Sequence, residues 1–309
     1  MKVSVVVCTY ATDRYPDFCE AVESVLEQTY ESVEVVLIID GNVTVCEWTT
    51  ERFGEQDGMV IHCNEDNKGI STSRTRGAEL ATGDIVAFID DDAIASENWV
   101  ETLVEAYQEH DAIAVGGRMV GEWIGDRPWF LPDEFDWLVG VTHRGFGESG
   151  SEVRNTFESN LSFRRNVFLE LGGFDPKLGP TADEYRHSEG AEIGVRLKEQ
   201  YDSGVLYIED AVVTHKVFEY RTRFIWLCQR AFEQGASKRK MARQTKGESS
   251  MESAFLRALV FQHASRRVRR LVQGPTLAGV VQLLMLFLFT GLVGVGYLFE
   301  SVRMLFQKQ

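Results

Sequence analysis

Lysine is scarce in this sequence: 9 residues of 309, against 23 arginines and 47 aspartates and glutamates. The formal net charge is -15. Such a balance speaks to solubility and partners rather than to fold. Cysteine is sparse too. The five cysteines, Cys8, Cys19, Cys46, Cys63 and Cys228, contain no CxxC pair, and their number is odd. That argues against a zinc ribbon or a disulfide framework, and predicts reduced, mostly buried thiols in a cytoplasmic compartment. There is no internal repeat and no low-complexity tract. The opening apolar run, Val3 to Val7, lacks a basic leader and a cleavage site, so no signal peptide is expected.

What is present is a chain with 44% hydrophobic residues, enough for a sizeable core. Its charge is segregated. Residues 214–270 carry a net +10 and residues 1–213 a net -26, so the acidic body and the basic segment face different partners. No nucleic-acid recognition motif accompanies the basic residues, and nucleic acid is not expected as a partner.

The first 120 residues alternate between two periods. "VSVVVCTY" (3–10), "VEVVLIID" (33–40), "MVIHCN" (59–64) and "DIVAFIDDD" (84–92) read as buried strands. Helices are predicted between and after them, over about 17–28, 43–53, 71–80 and 97–110. Strands alternating with helices of this length predict an α/β fold with a mostly parallel sheet, its ligands at the carboxyl ends of the strands. Asp40 and Asp90 to Asp92 all stand at such ends. The regularity breaks over 121–157, which is rich in Trp, Phe, Gly and Pro. A strand and short helix at 160–175, a helix over 189–201, a strand over 204–216 and a basic, aromatic helical stretch over 221–245 follow.

Thr276 to Phe299 contains no formal charge. At about 1.5 Å per residue it reaches about 36 Å, enough to cross a ~30 Å hydrocarbon core with some tilt. Arg257, Arg266, Arg267, Arg269 and Arg270 precede it, and only Arg303 and Lys308 follow. The positive-inside bias predicts a single-pass membrane anchor with the body in the cytoplasm. The basic residues before it suit an anionic lipid surface or a lipid phosphate.

Three adjacent carboxylates repel one another. They become tolerable when a divalent cation, Mn²⁺ or Mg²⁺, sits between them and a phosphate-bearing ligand. On an extended segment Asp90 and Asp92 point the same way and Asp91 the opposite way. The same residues would also serve as a helix N-cap with an acidic first turn.

"VSVVVCTY", "LIIDGN" and "NKGISTSRTRGAELATGDIVAFIDDDA" occur in the order and spacing of the family-2 glycosyltransferases, which this chain resembles over about residues 3–240. The resemblance implies a GT-A fold, inverting transfer from a nucleotide sugar and a divalent metal. It divides the chain into a nucleotide-sugar-binding half (1–120), an acceptor-side half of the same domain (121–245), a basic juxtamembrane segment (246–275) and a transmembrane helix (276–299). It implies nucleotide-sugar contacts from Thr9, Tyr10, Asp40, Asn67, Arg74 and Asp90, with Gly69 as a turn residue. It implies metal contacts from Asp90, Asp92 and His215. An inverting transfer needs a base for the acceptor hydroxyl, which the family draws from an "ED" before a helix. Here that stretch is "HSEGAEIGVRLKE". Glu189 stands at the first acidic position, and Gly190 replaces the usual aspartate. Glu189 is the expected base, with Glu192 and Asp183 as alternatives. Asn160, Arg230 and Lys238 are expected on the acceptor or diphosphate side, Asn160 with a structural turn role as the alternative.

The acidic, lysine-poor composition is similar to that of proteins from salt-loving organisms. Within the family the chain resembles haloarchaeal glucuronosyltransferases that extend a dolichol-phosphate monosaccharide for protein N-glycosylation. That implies UDP-glucuronate as the UDP-sugar donor and a lipid-phosphate-linked glycan as acceptor, at the cell membrane.

Overall fold

A computed structural model describes residues 1–179, 188–244 and 263–306. The chain packs as two compact units, one of residues 1–122 and 147–216, the other of residues 123–146 and 217–309. Residues 147–216, expected in the acceptor-side half, therefore pack in one unit with the nucleotide half.

The first unit is built on a nine-stranded mixed sheet. Its strands are β1 (Val3–Thr9), β2 (Val33–Asp40), β3 (Met59–Asn64), β4 (Ile85–Asp90), β5 (Ala93–Ala95), β6 (Ala114–Trp123), β7 (Glu152–Val153), β8 (Leu161–Arg164) and β9 (Val205–Val217). The order is β3-β2-β1-β4-β8-β6-β9-β5, with β7 paired to β9. β3, β2, β1 and β4 are parallel. β8 pairs antiparallel with β4 and β6. The parallel half reads as continuous apolar runs because both faces are covered. Every residue of β1 is buried.

Helix α1 (Tyr15–Leu26) turns Phe18, Ala21, Val22 and Val25 into the core, with a proline in its first turn where a missing N–H is harmless. α2 (Val43–Phe53) is capped by Asn42, whose Oδ1 accepts from Val45 N at 3.2 Å. α3 (Ile70–Leu80), α4 (Trp99–His110), α5 (Arg165–Glu170) and α6 (Glu189–Tyr201) complete the unit. Gly77 of α3 lies so close to Val6 that a Cβ there would overlap it, which seats α3 against β1.

The cysteine expectation is corrected. Cys46 of α2 and Cys63 of β3 form a disulfide with Cα atoms 6.0 Å apart. The two elements are consecutive and pack together, so a spacing without CxxC still brings the sulfurs into bonding reach. Cys8, Cys19 and Cys228 remain free.

In the second unit, α7 (Phe224–Gln244), α8 (Ser265–Gln273) and α9 (Leu277–Phe306) surround a core that includes Phe135, Leu138, Leu227, Leu286 and Phe289. α9 is a 30-residue helix, long and apolar enough to cross a membrane. It begins one residue after the expected start and runs seven residues past the expected end. One side packs on α7 through glycines: a Cβ on Gly235 would overlap Val293 O, and one on Gly296 would overlap Phe232 O. Such close backbone approach is how small residues join helices. The opposite side exposes Leu284, Phe287, Val295, Leu298 and Val302. Glu134 and Arg267 form a buried ion pair, with Arg267 Nε 3.0 Å from Glu134 Oε2 and Nη1 2.8 Å from Gln282 Oε1.

At the amino end of β2, Glu34 accepts hydrogen bonds from Lys2 Nζ at 2.7 Å, Ser4 Oγ at 2.6 Å and Thr82 N at 2.8 Å. Burial raises its carboxyl, but these donors outweigh it and hold the group down at about 2. A depressed carboxyl stabilises fully above its unfolded value and loses that contribution as pH falls through the folded one. Glu34→Gln is therefore expected to cost roughly 2 kcal/mol at pH 7, allowing for the half-exposed lysine, and almost nothing near pH 2, measured by chemical denaturation. Thiol titration of the unfolded, unreduced protein is expected to count three thiols, rising to five after reduction.

Candidate active site

The carboxyl ends of β1, β2 and β4 lie side by side in the parallel half, and their last residues assemble the site. Asp40 ends β2. Its carboxylate accepts from Asn64 Nδ2 and Lys68 N, both at 2.8 Å, and from Gly69 N at 2.9 Å. It thereby folds the 66–69 loop over the strand end. Gly69 has φ +83°, which a side chain resists. Asn67 Oδ1 accepts from Gly69 N at 3.2 Å. Tyr10 is exposed just beyond β1, and its carbonyl accepts from Asn42 Nδ2 at 2.7 Å.

The three aspartates do not alternate as on an extended segment. β4 ends at Asp90, and Asp91 and Asp92 form a turn into β5. Each carboxylate meets a different partner. Asp90 is held by Arg74 Nη2. Asp91 accepts from Thr9 Oγ1 at 2.7 Å. Asp92 accepts from Arg14 Nη1 at 3.2 Å and lies 3.4 Å from His215 Nε2. Burial, and then the charge of Asp92, push the Asp91 carboxyl up to about 7.

Arg74 is the buried arginine of the pair at 74 and 76. Arg76 faces outward and pairs with Glu79 at 3.0 Å. Arg74 reaches Asp90 on one side and Glu189 Oε1 at 3.5 Å on the other, its guanidinium 5.8 Å from the Phe174 ring centre. Burial opposes its charge, but Asp90, Glu158 and Glu189 keep it protonated.

Glu189 opens α6 and is 1% exposed. Its Oε2 is buried with no hydrogen-bond partner among the described residues. Glu158, not anticipated from the sequence, stands beside it and is half-buried. Glu158 Oε1 accepts from Gly190 N at 2.9 Å. The next residue, Ser159, accepts from Asp90 N at 2.9 Å through its hydroxyl. Burial pushes both the Glu158 and the Glu189 carboxyls up; the charge of Glu158 adds to the rise at Glu189, and that of Asp90 to the rise at both. Three carboxylates thus share one guanidinium.

The remaining candidates lie elsewhere. Glu192 is bonded to Arg196 at 2.6 Å, and Asp183 lies outside the described residues. Asn160 is fully buried. Its amide donates to Arg118 O at 3.1 Å and to Ala211 O at 2.8 Å, and accepts from Trp99 Nε1 at 2.9 Å, which ties β6, β9 and α4 together. Arg230 and Lys238 belong to α7 in the second unit, Lys238 Nζ lying 6.0 Å from the Trp137 ring centre. Arg14 was also missed from the sequence. Its only signal is its place just beyond the first strand, in the turn that leads into α1.

Among the described residues no three His, Cys, Asp or Glu side chains are grouped so that they could hold a metal ion. Asp92 and His215 nevertheless fit one hard to borderline cation. Cis ligands about 2.1 Å from one ion lie about 3 Å apart, close to the 3.4 Å that separates Asp92 Oδ1 from His215 Nε2.

A family model described as Glycosyl transferase family 2 matches residues 4–172. The chain is 50% identical over 300 residues to the glucosyl-dolichyl phosphate glucuronosyltransferase of Haloferax volcanii, covering 97% of this chain and 96% of that protein. The chain belongs to glycosyl transferase family 2. This family-2 transferase is also 28% identical to the succinoglycan biosynthesis protein ExoM of Rhizobium meliloti over 73% of each chain. Among solved structures it superposes on the mannosyltransferase PcManGT of Pyrobaculum calidifontis, in complex with GDP-Man and Mn2+, with TM-score 0.62 and 16% identity over 100% of this chain and 88% of that one. S. aureus TarS 1-349 in complex with UDP gives TM-score 0.56 at 16% identity over 100% and 92% of the two chains. The fold of the transferase is GT-A.

Removing the Arg74 guanidinium would leave the buried Glu189 and the half-buried Asp90 without it. Arg74→Met is expected to lower the stability of the transferase by about 3 kcal/mol in chemical denaturation. Arg76→Met, which breaks a surface pair, is expected to stay within about 0.5 kcal/mol of the unmodified protein.

Proposed function

We propose that this transferase moves glucuronate from UDP-glucuronate, with inversion, onto a glucosyl lipid phosphate in protein N-glycosylation. The observation that carries this reading is the 50% identity, over nearly the whole of both chains, to a glucosyl-dolichyl phosphate glucuronosyltransferase. The site supports it chemically. The 66–69 loop, shaped by Asp40, forms with Thr9, Tyr10 and Asn67 a wall at the strand ends for the nucleoside. Arg74 and Asp90 lie at the sugar side of that wall. Asp92, Asp90 and His215 are the residues that would hold Mn²⁺ or Mg²⁺, and such an ion supplies charge for a departing diphosphate. Asp92 is oriented by Arg14 and Asp90 by Arg74, so both carboxylates are in place before donor arrives. The proton acceptor is a carboxylate of the Glu158–Glu189 pair at the start of α6. Arg230 and Lys238 serve the phosphates of the acceptor.

A lipid acceptor requires the enzyme at a membrane. α9 supplies the apolar length, and its outward stripe is the face for lipid. The exposed Arg266, Arg269 and Arg270 of α8 support a body on the cytoplasmic side, where such residues meet anionic head groups.

Membranes containing the transferase, given radiolabelled UDP-glucuronate and glucosyl-dolichyl phosphate, are expected to yield a labelled disaccharide lipid. Chelation should abolish the product and added Mn²⁺ restore it. Asp92→Asn is expected to lower the rate at least 100-fold, a loss typical of removing charge stabilisation at a leaving group. Labelling from UDP-glucose but not from UDP-glucuronate would overturn the choice of sugar.

A further inference from the structure

The sequence leaves one departure unexplained: Gly190 stands where an acidic residue was expected. The structure fills that place from elsewhere. A Cβ built on Gly190 would overlap the carboxylate of Glu158, with Oε1, Cδ and Cγ as its three nearest atoms. The position on α6 without a side chain and the carboxylate from the 158–160 turn occupy one volume. Gly190 has no positive φ, so its backbone alone does not require glycine. The space a larger side chain would take there is held by Glu158.

Two further observations separate Glu158 from Glu189. Glu189 is 1% exposed and Arg74 engages its Oε1, so a polar acceptor has no access to it. Glu158 is half-buried and keeps one oxygen beyond the bond from Gly190 N. Its neighbour Ser159 fixes the backbone of Asp90, so the turn that carries Glu158 is tied to the end of β4.

We propose that Glu158 is the catalytic base of this transferase, a carboxylate supplied across space in the place that Gly190 leaves open, and that Glu189 is a positioning residue acting through Arg74. This rests on the transfer reading above. In the step, the acceptor O–H bond breaks and its proton passes to the Glu158 carboxylate. The freed oxygen pair forms the new bond to the anomeric carbon. The bond from that carbon to the diphosphate oxygen breaks, and its electron pair leaves with the diphosphate. Burial raises the Glu158 carboxyl, which strengthens it as a proton acceptor.

The test is a carboxylate transplant. Glu158→Gln keeps an oxygen for Gly190 N but removes the base, and it is expected to keep the melting temperature and the donor KM while kcat falls by about 10² to 10⁴. Gly190→Asp alone is expected to be impaired by collision with Glu158. The double variant Glu158→Ala with Gly190→Asp returns a carboxylate to the same volume and is expected to exceed either single variant at least tenfold. Wild-type transfer with Glu158→Gln within about threefold of it would overturn this proposal alone and leave a structural role. A folded double variant no faster than Glu158→Ala would also overturn it. Absence of wild-type transfer would overturn the functional reading and this proposal with it.

Discussion

One guanidinium organises the catalytic end of the sheet. Arg74 projects from α3 into a buried space where Asp90, Glu158 and Glu189 converge, and no second cation is seen to engage that group among the described residues. A lone buried carboxylate would not tolerate ionisation, and three would not tolerate one another. Arg74 makes the group stable, but one positive charge cannot balance three negative ones. Burial first, and uncancelled negative charge second, make the Glu158 and Glu189 carboxyls hold protons more tightly than usual.

The second acidic group, Asp91 and Asp92, solves the same problem differently. It draws on Thr9, Arg14 and His215, which come from the end of β1, the turn after it and β9. Here one guanidinium, that of Arg14, and an imidazole face Asp92, while a hydroxyl faces Asp91. Asp90 and Asp92 stand on either side of the turn residue Asp91 and meet different partners, Arg74 and Arg14.

Much of this was legible in the sequence. The parallel half of the sheet announced itself because strands buried on both faces must be apolar throughout, as in β1 and β4. α2 and α6 begin and end where periodicity put them. The places of Asp40 and Asp90 were readable because each ends an apolar strand. Glu158 was not readable. It sits in a stretch without period, and its importance comes from an absent side chain 32 residues away. The turn at Asp91 was hidden because three aspartates fit a strand end and a turn equally. The disulfide was hidden because pairing depends on α2 lying against β3, which cysteine spacing does not encode.

The glycine contacts between α7 and α9 change what kind of anchor α9 is. Leu286 and Phe289 belong to the core that Phe135 and Leu227 share, so the apolar helix is part of that core as well as long enough to cross a membrane. Cutting the chain before Leu277 would open the backbone face of Gly235 and uncover the apolar core of the second unit, leaving a chain prone to aggregate. Anyone wishing to handle this transferase in solution should keep the helix and supply a lipid or detergent surface for its outer stripe.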